Sequence, residues 1–355
     1  MNILQKYSVI NNLTADFDKL EFLDDQYCIS LSGGVDSMVL LDILLQREKK
    51  IIAIHINYNN REETNLEEEF LRNYCEARNV TFISHSFEVT RGSIKRSDYE
   101  SYTKNIRFEL YKQILEQNKI KYILLAHHKD DIIENIFTNF CRGDNFLNLS
   151  VIKEQNTIMG VTINRPLIDY YKQDIYYYAH YHNIPYFLDT TPDWSIRGKF
   201  RRKLLPLLFD TFVGLKTNLL SIAKQSDEWG TFIQNNVINE YMLQVKYIEN
   251  GNGNGNGNGN GNGNGNGNEK DNIYQKVTIE MPLINYKDYP MCFWQEIFCK
   301  VFHKYSYSAP SRKSLEIFMN YLKGPLDNKE GYKILLKHGI LLIGELDKIV
   351  ILINN

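Results

Sequence analysis

The chain has 355 residues, 43% of them hydrophobic, with a formal net charge of −2. That length allows two or three domains with ample core, and the near-neutral balance excludes a nucleic-acid partner held by overall basicity; only a local basic patch could hold one. The five cysteines (Cys28, Cys75, Cys141, Cys292 and Cys299) are odd in number and contain no C-x-x-C pair, which excludes a disulfide framework and a four-cysteine zinc site and fits a reducing compartment.

The N-terminal stretch carries Asp16, Asp18, Glu21, Asp24 and Asp25, unlike a basic transit peptide. No apolar run approaches the roughly 18 residues needed to span a bilayer. The expectation is a cytoplasmic protein without a membrane partner.

The apolar run Tyr27–Leu31 reads as a buried strand, and Met38–Leu45 reads as a helix. Between them lies Ser32-Gly33-Gly34-Val35-Asp36-Ser37. A glycine pair there permits a sharp turn and a close backbone approach to a ligand, and the following helix N-terminus favours a phosphate. Ser32 and Ser37 add hydroxyl donors. Neither G-x-x-x-x-G-K-[ST] nor G-x-G-x-x-G is present. An ordinary capped strand–helix turn is the competing reading.

Strand-like and helix-like runs then alternate. Ile51–Ile56 is a strand, and Glu67–Arg78 a helix with Phe70, Leu71 and Tyr74 on one face. Val80–Ile83 is a strand, and Tyr99–Leu115 a helix with Tyr102, Ile106, Leu110 and Ile114 along one side. Tyr122–Ala126 is a fourth strand, and Ile132–Phe140 a helix. Near-continuous apolar strands separated by helices predict an α/β fold with a parallel sheet covered on both faces, binding ligands beyond the carboxyl ends of its strands.

The segment His127-His128-Lys129-Asp130-Asp131-Ile132-Ile133-Glu134-Asn135 opens the last of these helices. Asp130 or Asp131 shares a helix face with Glu134. Beside a nucleotide, Asp36, Asp130, Asp131 and Glu134 are candidate Mg²⁺ ligands, and His127 or His128 could contact phosphate or move a proton. A well-capped acidic helix start is the alternative. Arg197 to Lys203 holds five basic residues around Phe200, which suits a phosphate backbone and a stacked base; Arg142, Arg165 and Lys172 extend the stripe if they fold onto the same side. A solvated charged helix face would look the same.

Residues 207–248 read as a connecting helix pair. Gly and Asn then alternate from Asn250 to Asn268, a stretch with no core-forming side chain. The tail holds helices at Phe293–Phe302 and Ser314–Leu322. Strands follow at Tyr332–Leu336 and Ile340–Ile343 around the turn Lys337-His338-Gly339, with a last strand at Ile349–Ile353.

The hexapeptide Ser32–Ser37 resembles the S-G-G-x-D-S pyrophosphate loop of the N-type ATP pyrophosphatases. His127–Glu134 resembles the H-H-x-D-D-x-x-E-T motif of the tRNA(Ile)-lysidine synthetases, with Asn135 in place of the final Thr. Arg142-Gly143, Arg165-Pro166-Leu167, and Asp189 followed by Arg197–Arg201 and Leu204-Leu205-Pro206 are similar to further landmarks of that family. So is Glu100 with Lys104 and Arg107. The match covers about residues 25–210. Tyr58 and Gly198 stand where the family has histidine and asparagine, and the Asp189–Arg197 spacing is about two residues short.

The resemblance implies a Rossmann-like doubly wound sheet of ATP pyrophosphatase type over residues 1–210. A smaller helical or α+β accessory region, 211–355, would follow, interrupted at 250–268. It implies ATP held by Ser32, Gly33, Gly34, Val35, Asp36, Ser37 and Arg107, and Mg²⁺ on the carboxylates. The chemistry would fall to Asp36, Asp130, Asp131, His127 and His128. It implies tRNA or phosphate bound by Arg142, Arg165, Arg197, Lys199, Arg201 and Arg202. The reaction implied is adenylation of the wobble cytidine of an isoleucine tRNA with a CAU anticodon, then attachment of free lysine. A homodimer is left open. A 2-thiolation-type tRNA enzyme, an inactive ATP- or RNA-binding relative and a small-molecule amidotransferase remain competing readings.

Overall fold

The computed structural model describes residues 24–59, 63–87, 95–143, 146–188, 196–249, 276–324, 333–337, 340–345 and 347–354. The Gly-Asn tract, Asp189 and the tip of the predicted Lys337-His338-Gly339 turn lie outside them. The chain forms two compact units, Met1–Asp227 and Glu228–Asn355.

In the first unit, β1 (Gln26–Ser30), β2 (Lys50–Asn57), β3 (Thr81–Ser86), β4 (Ile123–Leu124), β5 (Gln155–Ile158) and β6 (Val161–Asn164) form one sheet in the order β3-β2-β1-β4-β6-β5. All neighbours are parallel except the β5–β6 hairpin. Strand order therefore reverses at β1: β2 and β3 extend one way and β4 the other. The carboxyl ends of β1 and β4 diverge there into a crevice, the place where open α/β sheets bind ligands.

Helix α1 (Val35–Leu45) leaves β1 and is apolar on nearly all sides; Met38, Val39, Leu40, Leu41, Ile43 and Leu44 are buried. A helix without a polar face must be covered all round. Part of that cover is α5 (Lys172–Tyr181), whose Ile175, Tyr178 and Ala179 join the same core. Helices α2 (Thr64–Glu76) and α3 (Arg96–Asn118) follow β2 and β3. On α2, Leu71 is buried as its pattern predicts, while Phe70 stays partly exposed. On α3 the core face is Phe108, Tyr111, Ile114 and Leu115, with Leu110 packed against it; of the predicted Tyr102–Ile106–Leu110–Ile114 line, Tyr102 is exposed. The fourth strand pairs over only two residues. Its continuation, Leu125 to His128, turns outward into the crevice.

Helix α4 (Lys129–Arg142) closes this turn. After Leu188 the described chain resumes at α6 (Ile196–Lys199), which runs through a π-helical turn (Phe200–Leu204) into α7 (Leu205–Thr211). The predicted connecting pair is interrupted at 212–214, where Gly214 adopts φ +82°, before α8 (Leu215–Ile233). The first unit extends to Asp227 because Ala223 of α8 packs with Ile136 and Leu149.

The second unit contains the π-helical turn Gln234–Ile238 and α9 (Asn239–Met242). Strands β7 (Lys246–Glu249), β8 (Lys276–Pro282), β9 (Lys333–Lys337), β10 (Ile340–Gly344) and β11 (Lys348–Asn354) form an antiparallel sheet ordered β7-β8-β11-β10-β9. Helices α10 (Met291–His303) and α11 (Arg312–Lys323) cover it. Trp294, Phe298 and Phe318 meet edge-on or tilted with centroids 5.1–6.2 Å apart, an arrangement favoured by the ring quadrupoles. Among the described residues no single helix is long and apolar enough to cross a membrane.

Candidate active site at the sheet switch point

Gly33 adopts φ +81°, which only glycine takes without strain, and a Cβ there would lie 2.5 Å from the Phe187 ring. Phe187 is locked in place by its N–H donating to the Gly33 carbonyl at 2.9 Å and by a parallel bridge to Gly34. The buried Ser37 hydroxyl accepts from the Ser32 and Gly33 N–H groups at 3.2 and 3.1 Å and donates to the Gly34 carbonyl at 3.0 Å. Ser37 therefore shapes the loop from inside, a different role from the free donor anticipated from its sequence position.

Beside this loop lies a cavity of about 320 Å³ lined by Ser32, Asp36, Ser37, Arg107, His127, His128, Asp131 and Arg201, among others. Tyr111 forms part of its wall and shares a 2.8 Å hydrogen bond with Ser30 Oγ. Burial pushes the Tyr111 phenol up to about 12, against a smaller opposing effect of that bond, so it stays protonated. Arg107 donates to the Tyr58 hydroxyl at 3.2 Å, so the tyrosine at the family's histidine position helps hold a cavity-lining arginine.

The β4–α4 turn supplies the opposite wall. His128 is buried, with Nε2 3.6 Å from Asp36 and 3.3 Å from Asp131. Its Nδ1 is buried without a hydrogen-bond partner among the described residues, 4.0 Å from Asp130. Its Nε2 thus faces two carboxylates at once. His127 accepts at Nδ1 from Arg165 Nε at 3.1 Å, which places the proton of the neutral ring on Nε2.

Arg165, which the sequence suggested for tRNA or phosphate, lies inside the protein. It is 3% exposed, and besides His127 it donates to the Lys153 carbonyl at 2.6 Å and Asn156 at 2.7 Å. Burial lowers its pKa from the usual arginine range. Its Nε and Nη1 groups are engaged inside the protein, where Nε orients His127.

Arg201 is likewise turned inward. Its Nη2 lies 3.0 Å from Asp131 and its Nε 2.5 Å from Glu134. The Asp131/Glu134 helix-face pairing is thus present, bridged by one guanidinium. Burial pushes the Asp131 carboxyl up, but His128, His127, the His128 N–H and Arg201 outweigh burial and hold it below its ordinary value. Asp130 faces elsewhere, accepting from the Lys172 backbone N–H at 2.8 Å and Lys216 Nζ at 2.6 Å. Lys172 Nζ lies 2.7 and 2.6 Å from the two Asp36 oxygens. The four carboxylates proposed for Mg²⁺ each hold a basic side chain. Among the described residues, no three Asp, Glu, His or Cys side chains converge as a metal-ligand group. A metal arriving on ATP phosphates needs only one or two carboxylates, a lesser demand that Asp36, in the first turn of α1, can meet.

A second cavity of about 260 Å³ is lined by His128, Asp130, Glu134, Lys172, Arg201, Leu205, Pro206 and Phe209. His128 and Arg201 belong to both linings. Lys199, Arg202 and Arg142 are exposed, while the side chains of Arg197 and Asp189 lie outside the described residues. Sequence reasoning missed Lys216 and the Lys172–Asp36 pair. Asp36 and Lys172 are 136 residues apart, and no motif spacing marks them.

The family model described as the PP-loop domain matches residues 6–208, more than half of the chain and the unit just described. The chain belongs to the PP-loop family. Among PP-loop proteins it is similar to the tRNA(Ile)-lysidine synthase of Enterococcus faecalis, at 32% identity over 186 residues, 51% of this chain and 40% of that protein. It is also similar to that of Chlamydia muridarum, at 30% identity over 206 residues, 57% of this chain and 64% of that one. The match spans less than two thirds of either relative. The U34-tRNA thiolase NcsA from Methanococcus maripaludis, solved with its [4Fe-4S] cluster, superposes with a TM-score of 0.51 at 17% identity. That superposition covers 63% of this chain and 80% of the other, and shows the shared PP-loop fold.

Proposed function

We propose that this chain is an ATP-dependent tRNA(Ile)-lysidine synthetase acting in the cytoplasm. The observation that carries the reading is the pair of adjoining cavities sharing His128 and Arg201. One lies under the pyrophosphate loop; the other combines acids, cations and an apolar floor. That combination suits free lysine, whose carboxylate needs a cation, whose ammonium needs an acid and whose stem needs apolar surface. Relatives named tRNA(Ile)-lysidine synthase support the same reading.

In the proposed first step, O2 of the wobble cytidine attacks the α-phosphorus of ATP. The bond to the β-phosphate oxygen breaks and pyrophosphate leaves. In the second, the lysine ε-amine attacks C2, AMP departs with the former O2, and the amine gives up a proton. Mg²⁺ would neutralise phosphate charge, with Asp36 as a ligand. The N-terminus of α1, where the loop ends, holds the pyrophosphate portion. His127 offers Nε2–H to a phosphate oxygen, and His128 with Asp131 accepts the proton. Exposed Lys199, Arg202 and Arg142 meet the isoleucine-tRNA backbone. The Glu228–Asn355 unit serves as the accessory substrate region.

The thiolation reading gains nothing from the two buried cysteines. Cys28 and Cys75 are buried, with burial pushing their thiols up to about 12 and about 11. The decisive experiment incubates the protein with ATP, Mg²⁺, labelled lysine and a tRNA whose anticodon begins with C. AMP and pyrophosphate release coupled to lysine incorporation is expected. Pyrophosphate release without lysine incorporation would assign another nucleophile. Absent turnover with intact tRNA binding would make the chain an inactive relative.

A further inference from the structure

The pyrophosphate loop contains no lysine, so the charge of a bound triphosphate has to be met from elsewhere in the fold. Among the residues lining the first cavity, Arg107 donates to Tyr58, and Arg201 is committed to Asp131 and Glu134. Lys172 approaches from outside the loop. As the first residue of α5, it is anchored by its backbone N–H on Asp130, and its stem passes along the second cavity. Its ammonium rests on Asp36, a wall residue of the first cavity, 5.3 Å from the Tyr176 ring centroid. One side chain thus connects the two cavities. The packing of α5 against α1 keeps its root fixed. A lysine retains free stem torsions, so its ammonium can move a few ångströms without moving the helix.

We propose that Lys172 is a catalytic residue whose ammonium leaves Asp36 for a non-bridging oxygen of the α-phosphate when nucleotide binds. There it stabilises the charge that develops as the phosphoryl group passes to its acceptor. This assignment rests on the reading of the site as an adenylating one. The ammonium keeps its protons throughout: it donates hydrogen bonds, and no bond to nitrogen is made or broken. Asp130 positions it, and Asp36 holds it in the empty site. The α-phosphate is singled out because the loop takes the pyrophosphate portion, whereas Lys172 stands at the border that the adenylyl group approaches.

The test is ³¹P NMR of MgATP bound to the wild-type protein and to the Lys172→Met and Lys172→Arg variants. The expected result is an α-phosphorus resonance that shifts in Lys172→Met while β and γ hold their bound positions, with Lys172→Arg intermediate. An α resonance identical in wild type and Lys172→Met would overturn the assignment. So would a common shift of all three resonances, the mark of a residue that only shapes the site. This readout needs no turnover. With tRNA present, Lys172→Met should lower the rate of pyrophosphate release about 100-fold, the usual cost of removing one charge-stabilising donor. The KM for ATP should stay within about threefold. Failure of the wild-type protein to release pyrophosphate counts against the synthetase reading, while the α-phosphorus comparison still decides the role of Lys172.

Discussion

Replacing Arg201 with methionine separates the two roles that sequence and structure give it. Methionine keeps much of the stem but removes the guanidinium between Asp131 and Glu134, whose side chains are 10% and 14% exposed. Removing one partner of a fully buried ion pair costs about 3–5 kcal/mol because the remaining charge is stranded. Arg201 itself is 28% exposed, so water reaches the site and reduces the penalty to about 2–3 kcal/mol. For a unit of this size that is a fall of roughly 5–10 °C in melting temperature. Differential scanning fluorimetry of wild type, Arg201→Met and Arg201→Lys measures it. Arg201→Lys should recover only part of the loss, because one ammonium cannot bridge both carboxylates as a guanidinium fork does. A wild-type melting temperature for Arg201→Met, with tRNA affinity reduced tenfold, would refute the reasoning and return Arg201 to the phosphate-binding stripe.

Gly33→Ala should destabilise the loop by about 2–4 kcal/mol, combining positive-φ strain with overpacking against Phe187, and should weaken ATP binding. Truncating Phe187 in the same protein relieves the clash but not the φ strain, so only partial recovery is expected in calorimetric titrations; unchanged affinity for Gly33→Ala alone would count against the loop geometry. The lowered Asp131 carboxyl makes a pH prediction. Its contribution to stability is complete above the ordinary aspartate value of about 4 and is lost as pH falls through the lower folded-state value. Urea unfolding at about pH 6 and about pH 3 should therefore show a smaller acid-induced loss in Asp131→Asn than in wild type. Equal losses would mean that Asp131 is not depressed.

Much of the first unit is legible because its signals are local. The apolar run of β1, the glycine pair and the apolar α1 identify a strand, turn and helix from neighbouring residues alone. His127 to Glu134 likewise marks a helix start from its own spacing. The β5–β6 hairpin, α5 and β8 went unread. Gln155–Ile158 and Val161–Asn164 are short and mostly polar, and Lys172–Tyr181 carries four tyrosines of which only Tyr178 is fully buried, in the core it shares with α1. The basic residues were legible as charges but not as orientations. Arg165 and Lys199 look alike in sequence, yet Arg165 is buried beneath His127 and Lys199 is exposed.

The sequence by itself determined that a phosphate loop follows a buried strand and that a second, acidic turn ends another. Both depend on short-range chemistry: glycine torsions, helix caps and apolar runs. The tertiary structure alone decided that β4 lies beside β1, bringing the two turns to one crevice. It also decided that Lys172, Arg201 and Lys216 close upon the carboxylates there. Those pairings join residues 67–136 positions apart, with no spacing rule to announce them. They arise because packing brings charged groups into a partly buried space, where opposite charges offset the cost of leaving water.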